Sequence, residues 1–226
     1  RGLKPGSKVE FEGHMLEVEL GPGLLSKNFD GLQNDLDKMD GVFLKRGLYT
    51  PALEDDKKWA FTPLAKVGDK VIAGDWLGNV KENWLDHKIM VPFKFEGEYT
   101  IETIANQGEY TINDVIATLK DAEGEIHNVT MVQKWPVKLA IKAYKNKPRP
   151  FRLLETGIRV IDTMNPILEG GTGFIPGPFG TGKTVIQHSL AKHANADIII
   201  MAACGERANE VVEIFSEFPH LEDPRT

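Results

Sequence analysis

The run Gly177-Pro178-Phe179-Gly180-Thr181-Gly182-Lys183-Thr184 fits the pattern GxxxxGK[ST], a spacing suited to holding phosphate. Glycines there let backbone N–H groups turn inward around an anion, and a following helix presents its positive N-terminal end. Lys183 is the residue that reaches the terminal phosphates, and the Thr184 hydroxyl is the one that ligates Mg²⁺. The competing reading is a glycine-rich turn that binds nothing. The flanks favour the phosphate loop. Gly173-Phe174-Ile175-Pro176 offers a short strand entering it, and between Thr184 and Asn195 the residues Val185, Ile186, Leu190, Ala191 and Ala194 recur near helical spacing.

Farther along, Asp197-Ile198-Ile199-Ile200-Met201-Ala202-Ala203 reads as a buried strand from its length and β-branching, and points to a parallel sheet. Gly205-Glu206-Arg207 follows, ahead of a helix over 208–218 with Val211, Ile214, Phe215 and Phe218 on one face. In open α/β sheets ligands gather beyond the carboxyl ends of strands, which brings Cys204 to Arg207 toward the phosphate loop. A carboxylate there can polarise an attacking water, and an arginine can stabilise charge on phosphoryl oxygens. Equally, Glu206 and Arg207 can cap the helix or pair at the surface. Spacing alone leaves both open.

The chain has 226 residues, 41% of them hydrophobic, which suits one or two domains with a real core and argues against disorder. Neither the opening Arg1-Gly2-Leu3-Lys4-Pro5 nor any later stretch reads as a signal peptide or membrane span, so a soluble chain is expected. A net charge of −6 gives no support to non-specific nucleic-acid binding through overall charge. The lone Cys204 excludes an internal disulfide, fits a reducing compartment and is expected to be a small buried hydrophobe. His188 and His193 fall on different helix faces, so no histidine is assigned to a metal. Asn128-Val129-Thr130 matches a glycosylation sequon but lacks a secretory context.

Three segments follow from composition and punctuation. In residues 1–56, Val9, Phe11 and Leu16 to Leu20 read as strands whose partners are missing, the end of a β-domain. Residues 57–136 read as a β-rich module with turns at Gly68-Asp69, Gly74-Asp75, Gly97, Gly108 and Gly124. Val67 to Gly78 resembles the turn-strand-turn of biotinyl and lipoyl carrier domains, but Lys88 reads as a strand position rather than a hairpin tip. The expectation is a carrier-like barrel without a prosthetic group. Residues 137–226 begin with a basic connection, Lys142, Lys145, Lys147, Arg149 and Arg152 around Pro148 and Pro150, and continue as α/β with a first helix near 157–164.

Together with Pro150-Phe151-Arg152-Leu153-Leu154-Glu155-Thr156-Gly157-Ile158-Arg159-Val160-Ile161-Asp162, the loop and Gly205-Glu206-Arg207 resemble the RecA-like nucleotide-binding domain of rotary ATPases. Glu19 to Leu25 and Phe29 to Gln33 resemble the link out of the N-terminal β-barrel of the catalytic A subunit in V-type and archaeal-type enzymes. Residues 57–136 resemble its inserted bulge domain. The fold class implied is therefore mixed: a β-rich N-terminal part, then the start of an α/β P-loop domain.

By this resemblance Gly177, Pro178, Phe179, Gly180, Thr181, Gly182, Lys183, Thr184 and Val185 hold ATP or ADP, and Thr184 holds Mg²⁺. Lys183 contacts the β and γ phosphates, Glu206 activates water and Arg207 assists at the γ-phosphate. The activity implied is ATP hydrolysis or synthesis coupled to proton or sodium transport. Implied partners are the non-catalytic B subunit and the central and peripheral stalk subunits. The setting implied is cytoplasmic, with the membrane touched only indirectly and no nucleic acid. Two departures are Ala208 where Gly is common and Ala202-Ala203 for a commoner Val-Gly. On the same resemblance the chain is a piece that stops at Thr226, before a Walker B strand, and is expected to have little ATPase activity alone. A ring-shaped nucleic-acid translocase and a non-enzymatic β-rich interaction module are the rival readings.

Overall fold

Alternation builds the first part of the molecule. In a strand over Lys58–Pro63, Trp59 and Phe61 are buried while Lys58, Ala60 and Thr62 are exposed, the period of a sheet with one face on a core. The computed structural model describes residues 4–11, 13–39, 47–144 and 146–218. It divides between residues 145 and 146 into two compact units. Lys145, part of the expected basic connection, lies outside the described residues, as do Arg1 to Leu3 and residues 219–226.

Among its described residues the first unit holds ten strands: β1 (Glu17–Leu20), β2 (Lys58–Pro63), β3 (Lys70–Val71), β4 (Trp76–Glu82), β5 (Leu85–Met90), β6 (Tyr99–Ile104), β7 (Gly108–Thr111), β8 (Ala117–Lys120), β9 (Ile126–Val129) and β10 (Gln133–Pro136). Two antiparallel four-stranded sheets run in the orders β5-β4-β2-β7 and β3-β6-β8-β9. Strand β4 serves two cores. Its register against β5 shifts between Trp76 and Gly78, so Leu77 packs with Val71, Ile101 and Leu119 while Val80 packs with Phe61 and Ile112. Gly78 is required by close approach, since a Cβ there would collide with the Phe61 ring and the Thr62 carbonyl.

Lys88 lies in β5, paired opposite Asn79, and the β4–β5 hairpin tip is Asn83-Trp84. Lys88 is thus at the strand position expected for it rather than at the tip. Gly68, Gly74, Gly97 and Gly124 sit in turns, whereas Gly108 opens β7 rather than a turn. The expectation for residues 9–20 needs correcting. Val9 and Phe11 are exposed outside any strand, and β1 does have a partner: it pairs antiparallel with β10, from Glu17 opposite Pro136 to Leu20 opposite Gln133. Gln33 fastens it further, accepting from the Glu19 amide at 2.7 Å and donating to the Glu19 carbonyl at 2.8 Å.

A buried carboxylate ties this N-terminal segment to the hairpin. Glu82, 4% exposed, accepts from the amides of Gly23 (2.7 Å) and Leu25 (3.3 Å) and meets His87 Nδ1 at 2.7 Å. Burial alone would raise its pKa, but the bonds from His87, Gly23 and Leu25 outweigh burial and hold it below the usual carboxylate value. A depressed folded-state pKa means its contribution is present above the unfolded pKa and lost as pH falls through the folded one. Glu82→Gln is expected to destabilise this unit at neutral pH by about 1–3 kcal/mol. The penalty should shrink as the pH drops below the ordinary glutamate range. Urea unfolding followed from pH 7 downward checks this, and a pH-independent difference would contradict it.

Among its described residues the second unit carries three helices: α1 (Arg159–Met164), α2 (Lys183–His193) and α3 (Ala208–Glu217). The Thr156 hydroxyl and amide both donate to Asp162 Oδ1, at 2.6 and 3.1 Å, which holds that carboxyl below its usual value and pins the start of α1. Here the strand expectations fail. Neither residues 173–176 nor Asp197–Ala203 form a ladder, and Ile198, Ile199 and Ile200 are 39%, 39% and 88% exposed. A parallel strand becomes a buried strand only between hydrogen-bonded neighbours with helices over both faces, and no such neighbours flank these runs among the described residues. For the same reason Cys204 is exposed rather than buried.

Candidate functional site

The loop leading into α2 is shaped by glycine. Gly180 and Gly182 have φ of 80° and 79°, in the left-handed region that side chains other than glycine rarely adopt, and Gly182 is the cap residue just before α2. Gly177 is needed for a different reason, because a Cβ there would stand 2.5 Å from Thr181 Oγ1. That hydroxyl donates to the Pro178 carbonyl at 2.7 Å, which closes the loop on itself.

Lys183, the first residue of α2, curls back over the loop. Its Nζ donates to the carbonyls of Gly177 at 2.6 Å and Pro178 at 2.9 Å. The ammonium therefore sits at the loop together with the amide end of α2, a positive locus suited to an anion. Thr184 follows in the first turn, while Phe179 and Val185 are 79% and 72% exposed.

Of residues 203–207, Ala203 and Glu206 share a pocket with Thr184, and Arg207 meets Phe179. Thr184, Gln187, His188, Glu206 and Glu210 share the lining of one small pocket. The Arg207 guanidinium carbon lies over the Phe179 ring, 4.4 Å from its centre. Arg207 also precedes α3 as its cap residue, where its donor-only guanidinium has no acceptor to offer the helix amides.

Glu206 is not alone. A hydrogen bond to the Glu210 carboxyl, then desolvation and the Glu210 charge, raise its pKa above the usual glutamate value, with His188 pulling the other way. His188 is 6% exposed and packs edge-on against Phe218 at 6.1 Å. Glu210 was not singled out from sequence, and His188 was weighed there only as a metal ligand. Glu210 was findable, since four residues after Glu206 is one helical turn. His188 lines the same pocket as Glu206 and works to lower the pKa of that acid.

For a metal, Thr184 and Glu206 line the same pocket, and a hydroxyl and a carboxylate are oxygen donors of the class that Mg²⁺ takes alongside phosphate oxygens. Elsewhere, Asp121, Glu125 and His127 gather within 4.8 Å at the β8–β9 turn. Asp121 accepts there from the amides of Glu123 and Glu125 and meets His127 Nε2 at 2.9 Å, so turn closure accounts for the grouping. No described helix is long and apolar enough to cross a membrane.

Comparison with known proteins gives two family matches along the chain. The family model for the ATP synthase alpha/beta subunit barrel-sandwich domain matches residues 50–138, and that for the ATP synthase alpha/beta family nucleotide-binding domain matches residues 157–223. The whole chain is 51% identical to the V-type ATP synthase alpha chain of Protochlamydia amoebophila (strain UWE25), covering 38% of that protein. It is 50% identical over its whole length to V-type ATP synthase alpha chain 1 of Treponema pallidum (strain Nichols), and 52% identical to the V-type ATP synthase alpha chain of Borrelia recurrentis (strain A1). Those matches cover 39% and 40% of the two relatives, so the chain spans about two fifths of their length.

Proposed function

We propose, from the premise that this chain belongs to the ATP synthase alpha/beta family, that it forms the bulge-type insert and the phosphate-binding start of a catalytic subunit in a V-type or archaeal-type rotary ATPase. The observation that carries this is the meeting of the phosphate loop with Glu206 and Arg207. In this reading residues 177–185 hold the phosphates of ATP or ADP, with Lys183 on the β and γ groups and Thr184 on Mg²⁺. Bound there, Mg²⁺ neutralises charge on the phosphate oxygens. Glu206 orients a water and takes its proton, and Arg207 stabilises charge at the γ-phosphoryl oxygens. Positioning and electrostatics do this chemistry, since phosphoryl transfer asks little covalent help of the protein.

The full-length subunit would alternate with a non-catalytic B subunit, contact central and peripheral stalk subunits, and work on the cytoplasmic side, coupled to proton or sodium movement only through them. Equilibrium titration of the full-length protein with a fluorescent ATP analogue tests the binding step. Saturable binding displaced by ATP and strengthened by Mg²⁺ is expected. Tight, salt-sensitive binding of single-stranded RNA instead would favour a nucleic-acid translocase.

A further inference from the structure

Phe179 occupies a position that the phosphate-loop pattern leaves free, yet it carries an aromatic ring 79% exposed. The ring has one neighbour of note. The Arg207 guanidinium lies over its face at 4.4 Å, within the range of cation–π attraction. Arg207 stands at the start of α3, where a guanidinium, a donor only, has nothing to offer the helix amides. An arginine held on an aromatic face keeps its in-plane N–H fork available for an oxyanion. Lys183 is held differently, by the Gly177 and Pro178 carbonyls of the same loop. Both cations are thus brought to the loop by the loop itself.

We propose that Phe179 is a positioning residue: its ring is the platform that holds Arg207 at the mouth of the phosphate loop, oriented toward the phosphoryl group. The proposal deepens the nucleotide-binding reading above and rests on it. A platform matters most where charge develops, so its loss should appear in kcat more than in KM. It also makes the two residues act as a unit, so their substitutions should not add.

The test uses the full-length subunit in its assembled complex, with Phe179→Leu and Phe179→Trp made both beside Arg207 and beside Arg207→Ala. Phe179→Leu is expected to lower kcat about tenfold while KM for Mg-ATP moves by less than about twofold. Phe179→Trp, with the better aromatic face, should retain turnover. In the Arg207→Ala background, Phe179→Leu should cost nothing further. An equal cost in both backgrounds, or a tryptophan variant as impaired as the leucine one, would overturn the proposal. Thermal melting of each variant separates a folding defect from a positioning one. Failure of the unsubstituted complex to bind the ATP analogue at all would instead remove the nucleotide reading beneath it.

Discussion

Glu206→Gln in the full-length subunit is expected to slow ATP hydrolysis by about 10²- to 10⁴-fold, roughly 3–5 kcal/mol of barrier, while nucleotide binding persists. Glutamine keeps the size of the side chain and much of its hydrogen bonding but can neither carry the charge nor accept the proton. Glu206 is exposed and precedes α3, so the exchange asks little of the fold. Its bond to Glu210 survives in amide form, which isolates the chemistry from the local geometry. Single-turnover hydrolysis beside equilibrium nucleotide binding reads the two effects separately. Near-normal turnover would return Glu206 to the alternative left open by its spacing, a residue at a helix start with no part in the reaction.

Lys183→Met should fail in a different way. The ammonium is the charge positioned at the loop, and its removal is expected to weaken triphosphate binding and to reduce turnover by roughly 10³-fold, as for loss of a preorganised donor. The contrast with Glu206→Gln is the informative part. One variant binds and does not turn over; the other loses both. Lys183 donates only to the carbonyls of Gly177 and Pro178 in an exposed loop, which water can satisfy, so the melting temperature should barely move. Retained binding with unchanged turnover in this variant would mean that the loop is a turn and not an anion site.

The phosphate loop was legible in the sequence because its requirements are backbone requirements. Gly180 and Gly182 stand where φ is positive and Gly177 where no Cβ fits, and each leaves a letter in the chain. The β-rich module was legible for a related reason: Trp59 and Phe61 alternate with exposed neighbours in β2. Pairings between distant segments left no such trace. The partner of β1 is β10, and nothing in Glu17–Leu20 names Gln133–Pro136. The stack of Arg207 on Phe179 was equally invisible.

Asp197–Ala203 failed in the opposite direction. Its run of β-branched residues is a strand signal, but strand structure is a property of neighbours as well as of the segment, and the described residues supply none beside it. Cys204 followed the same error, since its burial was inferred for a sheet not formed here. In Glu206 the sequence pointed to an acid near phosphate and missed the second acid, Glu210, that shares its hydrogen bond and shifts its titration.

The account turns on one convergence, the loop of Lys183 and the carboxyl of Glu206 on a single phosphoryl group. A structure of the full-length assembled protein with Mg²⁺, ADP and an aluminium fluoride mimic of the transferring group measures it directly. The account predicts Lys183 Nζ on the mimic and the Glu206 carboxyl within about 2.6–3.2 Å of the in-line water. A Glu206 still bonded to Glu210 and turned away, with another residue holding that water, would contradict it.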